Sequence, residues 1–153
     1  MSQAISVGNF TALFTVYVIA SLAVYFTASF TIAAWLIYVF FLVPFYLICI
    51  LYLFNFNLRH YQKSLRCKRL PLFLSLVFQL LIILTSPTSC YGWKQGQACY
   101  SFIQTHLTTT NLATSQNTSP PWWIVDSMFV PALILHVTSV AIFLKTIRIE
   151  KLQ

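Results

Sequence analysis

The sequence predicts an all-α membrane protein, a bundle of four transmembrane helices with a short amphipathic helix in the outer loop. Three observations carry that reading. Of 153 residues, 59% are apolar and only 7% charged, against about 25% charged in an ordinary soluble domain. The apolar residues gather in long blocks of the length a bilayer demands. The basic residues flank those blocks instead of spreading over a surface. A soluble fold, a disordered chain and a nucleic-acid binder are excluded despite the net charge of +7, because too few polar side chains exist to cover a surface. Residues 1–153 read as a single integral membrane domain.

The first apolar block, Phe10 to Phe56, contains no charge. As one helix it would be about 70 Å long, more than twice the hydrocarbon thickness. It must fold back on itself. The polar cluster Thr27, Ser29 and Thr31 supplies the turn, giving spans at about 10–29 and 31–56. Pro44 should kink or tilt the second span, since it removes an N–H and frees a carbonyl one turn earlier. On the first, Ala20, Ala23 and Thr27 form a small face suited to close helix contact.

A basic loop at 57–69 follows, and Pro71 sits in the first turn of a third span at about 70–86, stopped by Pro87. The fourth, at about 122–144, starts after Pro120 and Pro121 and ends at a second basic cluster. Arg59, Lys63, Arg66, Lys68 and Arg69, with Lys145, Arg148 and Lys151, make up eight of the nine Lys and Arg. Short basic loops stay in the cytoplasm, which puts both termini there, in the cell membrane. Trp35, Trp122 and Trp123 then fall at the outer headgroup layer. The first ten residues lack the basic n-region of a cleavable signal, so the first span is expected to be kept.

The outer loop, 87–121, is rich in Thr, Ser, Gln and Asn. Within Ala98–Ala113 the positions Cys99, Phe102, Ile103, His106 and Leu107 recur at helical spacing and predict the surface helix. Cys90 and Cys99 share this loop and are the disulfide candidate; Cys49 reads as a small buried hydrophobe and Cys67 as a reduced thiol. Asn117-Thr118-Ser119 and Asn9-Phe10-Thr11 match the glycosylation tripeptide, as chance sequences often do.

Candidate chemistry is confined to polar residues inside the spans, each of which is costly unless partnered. Asp126 and His136 lie on the fourth span, about 15 Å apart along the helix and about 80° around it, so they do not touch. Ser75 and Gln79 share a face of the third span, as Ala132, His136 and Ser139 do on the fourth. Such stripes suit hydrogen bonding between helices. The alternative is a small oligomeric channel or transporter, with Asp126 at the mouth of a polar path and His136 and Gln79 within. A thiol–quinone redox protein would need a C-x-x-C pair, and the chain has none. Two acidic residues leave no paired carboxylates, and no Ser-His-Asp, Walker or HExxH pattern exists. No catalytic residue, metal or cofactor is expected. The expected function is non-enzymatic: an accessory, assembly or scaffold component whose partners are the lipid bilayer and other membrane subunits or further copies of itself.

Overall fold

Backbone groups in lipid find no water, so an apolar run closes its own N–H and C=O groups by winding into helix. The computed structural model describes residues 5–29, 31–60, 63–67, 69–89, 100–107 and 123–149, and they are mostly helical. In chain order they form β1 (Ile5–Ser6), α1 (Val7–Ala28), α2 (Ile32–Ile37), a π-helical turn (Tyr38–Leu42) and α3 (Val43–His60). There follow β2 (Ser64–Arg66), α4 (Arg69–Thr85), β3 (Pro87–Ser89), β4 (Tyr100–Ser101), α5 (Phe102–Leu107), α6 (Trp123–Lys145) and β5 (Arg148–Ile149). Three helical stretches are long and apolar enough to cross a membrane: Val7–Ala28, Ala34–His60 and Ser127–Lys145. The α4 helix is apolar but shorter, at 17 residues.

Helix α1 is capped by Ser6, whose hydroxyl accepts the Asn9 N–H at 3.3 Å. After the turn at 29–31, the Thr31 hydroxyl caps α2 by accepting the Ala34 N–H at 3.4 Å. The second span is continuous through α2, the π turn and α3. Pro44 has no N–H for the carbonyl four residues back, and its ring crowds that carbonyl. The wider turn just upstream, closed by the Val43 N–H on the Tyr38 carbonyl, relieves both. Within it and beyond it Tyr38, Leu42, Tyr46, Cys49 and Leu53 all face inward.

Burial runs opposite to that of a soluble protein. Phe40 and Phe41 are 71% and 67% exposed, whereas His136 is fully buried. In water such a rim would drive association. In lipid, apolar side chains lose nothing by facing outward, and polar groups gain by facing one another. Outward hydroxyls bond within their own helix: Thr27 donates to the Ala23 carbonyl at 3.0 Å and Thr138 to that of Ile134 at 2.8 Å.

The small face expected on the first span needs correcting, because Ala20, Ala23 and Thr27 are exposed. The buried stripe of α1 is instead Val7, Phe10, Phe14, Val18, Ser21, Tyr25 and Ala28. Three rings, Phe10, Phe14 and Tyr25, stand on this buried stripe, where a small-residue face would instead let backbones approach.

The helices pack as two pairs. The largest contact is α4 on α6 and the next is α1 on α3, while α1–α4 and α3–α6 touch sparingly. At one end β1, β2 and β5 form a small antiparallel sheet with β2 in the middle; Leu65 pairs with both Ile5 and Ile149. The head of α1, the α3–α4 link and the tail of α6 therefore meet. At the other end β3 pairs with β4, Pro87 opposite Ser101. These strands of two or three residues depart from the all-α expectation and are too short to leave a periodicity. Within the expected surface segment a six-residue helix, α5, forms, but its buried residue is Gln104, whereas His106 and Leu107 of the expected apolar face are exposed. Cys90, Cys99, Trp122 and Asn117 lie outside the described residues.

Candidate functional site

Polar side chains from α1, α3, α4 and α6 converge inside the molecule, and their hydrogen bonds follow from donor chemistry. His136 Nδ1 lies 3.0 Å from the Ser75 carbonyl. A carbonyl only accepts, so Nδ1 must carry the proton. In a neutral ring Nε2 is then the acceptor, and the Tyr46 hydroxyl donates to it at 2.7 Å. One imidazole thus ties α6 to α3 and to α4. The rings of Tyr25 and Tyr46 stand edge-on to it, with centroids 6.4 and 6.1 Å away.

Gln79 makes the second clasp. Its Oε1 accepts from the Tyr17 hydroxyl at 2.6 Å, and its Nε2 donates to Ser21 Oγ at 2.8 Å. Ser21 in turn donates to the Tyr17 carbonyl at 2.7 Å. Every polar atom of the Gln79 head has a partner on α1 except one N–H. The exception in the wider group is Tyr25, whose hydroxyl is buried beside Tyr46 without meeting hydrogen-bond geometry.

A separate set of bonds closes the β3 end. Ser29 and Thr31 both donate to the Pro87 carbonyl, at 2.9 and 3.0 Å. Thr88 donates to the Ala28 carbonyl at 3.0 Å, and the hydroxyls of Tyr38 and Ser86 lie 2.8 Å apart. The Ala28 carbonyl lies at the end of α1, where no intrahelical donor remains, and the Thr88 hydroxyl supplies one.

The structure distributes the sequence-selected residues unevenly. Ala132, His136 and Ser139 lie on the buried face of α6, and Ser75 is buried on α4. The hydroxyls of Ser75 and Ser139 do not cross between helices; they donate to the Leu72 and His136 carbonyls of their own helices. It is the Ser75 backbone that reaches α6. Gln79 engages α1, apart from the His136 bonds. Asp126 falls in the first turns of α6, and its side chain lies outside the described residues.

Sequence reasoning missed the four tyrosines and Ser21. A signal existed for three of them: Tyr17, Ser21 and Tyr25 recur every fourth residue, a polar stripe along an apolar helix. Tyr46 offered a weaker one, being a tyrosine far from either predicted interface.

Among the described residues no three His, Cys, Asp or Glu side chains are grouped to hold a metal. Cys49 and Cys67 are free thiols. Burial at the α3–α4 link pushes the Cys67 thiol up from its ordinary pKa, which keeps it protonated and a poor nucleophile. No family model matches the chain, and no curated protein or solved structure gives a match either.

Proposed function

We propose that this chain is a non-enzymatic accessory, assembly or scaffold component of a membrane complex, built as four spans with both termini in the cytoplasm. The observation that carries the reading is the closure of the polar core. Both His136 nitrogens are taken by Tyr46 and the Ser75 carbonyl, and Gln79 is taken by Tyr17 and Ser21. A proton path through His136 would have to continue through a main-chain carbonyl, which has no proton to pass on. Groups spent in this way hold helices together. What faces outward is apolar and aromatic, suited to lipid and to the helices of other subunits or further copies.

Helix α4 is the proposed fourth span; its 17 residues reach about 26 Å against about 30 Å of hydrocarbon. The joining of β1, β2 and β5 supports an even number of crossings. Lys63, Arg66 and Arg148 at that end support its cytoplasmic placement.

Purification in mild detergent followed by mass spectrometry tests the function. A larger membrane protein should co-elute in stoichiometric amount. A homo-oligomer that conducts ions in planar bilayers would overturn the reading in favour of the channel. For the topology, single cysteines at 63 and 148 should be shielded from an external reagent in intact cells, and cysteines within 87–121 reached.

A further inference from the structure

Where α1 leaves the α4–α6 pair, toward the β1–β2–β5 end, a cleft of about 350 Å³ opens. Its walls are apolar: Phe10 and Phe14 from α1, Leu72 and Leu76 from α4, Val140 and Phe143 from α6. Ile5 of β1 and Tyr17 of α1 stand at its two extremes along this segment, and Cys67 lines it beside the sheet. The ten helical steps from Val7 to Tyr17 at 1.5 Å each give about 15 Å, close to the roughly 15 Å of hydrocarbon in one leaflet. The volume sits at the small end of ligand sites, about 300–1,000 Å³, as a single chain requires. The cleft is thus as long as one leaflet is deep.

The mouth is basic. Arg66 and Arg148 occupy directly paired positions of β2 and β5, so the sheet gathers basic residues from two segments at this end. Lys63 and Arg69, on either side of β2, are exposed. An anion at this end would offset the positive charge that the sequence gathers there. We propose that the cleft holds one acyl chain of an anionic phospholipid, whose headgroup phosphate rests against the basic residues around β2. The charge selects the lipid, and the cleft fixes its position against α1.

Native mass spectrometry of the full chain, exchanged into micelles with equal phosphatidylcholine and phosphatidylglycerol of identical chains, tests this. Phosphatidylglycerol should be retained several-fold over phosphatidylcholine. The triple variant Lys63→Gln, Arg66→Gln, Arg148→Gln should erase that preference. Leu13→Trp and Leu76→Trp, both at exposed lining positions, should obstruct the cleft without disturbing the core and lower retention of both lipids. Chain-free glycerol phosphate should not displace the bound lipid. Equal retention of the two lipids, a preference that survives the triple variant, or retention unaffected by both Trp variants would each overturn the site.

Discussion

Two kinds of helix interface divide this molecule. Within each pair the contact is broad and apolar: the rings of Tyr25 and Phe26 of α1 pack against Tyr38 of the second span, and Ile82 of α4 and Leu133 of α6 are buried. Between the pairs the contact is sparse; a few rings meet there, such as Phe10 on Phe143 and Tyr38 on Phe129, and it is bridged by hydrogen bonds, Tyr46 to His136 and Gln79 to Tyr17 and Ser21. In a bilayer this division has a physical basis. Lipid tails are as apolar as leucine, so broad apolar packing gains only dispersion and discriminates weakly among rotations of a helix. A buried donor and acceptor must meet in one geometry. The clasps therefore fix how one pair faces the other, and on the sheet side of the clasps the pairs part to leave the cleft.

Breaking the comparison at its centre should have the largest effect. His136→Ala removes both bonds and leaves a cavity under two tyrosine rings. The expected loss is about 3–5 kcal/mol, the sum of a core truncation and an orphaned hydroxyl, measured by unfolding in mixed micelles. A loss below about 0.5 kcal/mol, the size of an ordinary surface change, would mean that apolar packing alone orients the pairs.

A double-mutant cycle with Tyr46→Phe and His136→Leu isolates the α3–α6 bond. The coupling should be roughly 1 kcal/mol, within the average of about 0.6 and maximum of about 1.7 for such bonds in membranes. The same cycle between His136→Leu and Ile82→Val should give coupling near zero, since Ile82 serves the apolar interface. Gln79→Leu is expected to cost somewhat less, about 0.6 kcal/mol, because the freed Tyr17 and Ser21 hydroxyls lie half-exposed or rebond to their own helix. A larger cost than that of the Tyr46–His136 bond would make α1–α4 the principal clasp.

The two interfaces were unequally legible in the sequence. Uncharged apolar blocks bounded by Pro71, Pro87 and basic residues marked the helices to within a few residues, because hydropathy is summed over a whole segment and one residue hardly alters it. The clasps depend on pairs such as Tyr46 and His136, 90 positions apart, which no local period connects. Ala20, Ala23 and Thr27 misled for a related reason. Small residues suit either a close interface or a lipid-facing surface, and only the partner helix decides which. The π turn was half legible: Pro44 announced a disturbance, while its form depended on keeping Tyr38 and Tyr46 both inside.

The smallest effect is expected at Tyr25, and its sign is informative. Tyr25 is fully buried, stacks on Tyr38 with centroids 5.3 Å apart, and stands edge-on to His136. Its hydroxyl lacks a hydrogen bond of good geometry although Tyr46 is beside it. The Tyr46 proton is committed to His136 Nε2, so Tyr46 is left with lone pairs to offer and Tyr25 is the natural donor. The two hydroxyls fail to align because each ring is held by its own helix. Tyr25→Phe keeps the ring contacts and removes only this unsatisfied group. Stability should change by less than about 0.5 kcal/mol, with a small gain favoured, since an unmade bond carries a desolvation cost and no return. A loss of 1 kcal/mol or more, about the net worth of one made hydrogen bond, would show that Tyr25 does donate to Tyr46 in the membrane. The clasp would then extend from His136 through Tyr46 into α1, joining α1, α3, α4 and α6 in one chain of bonds.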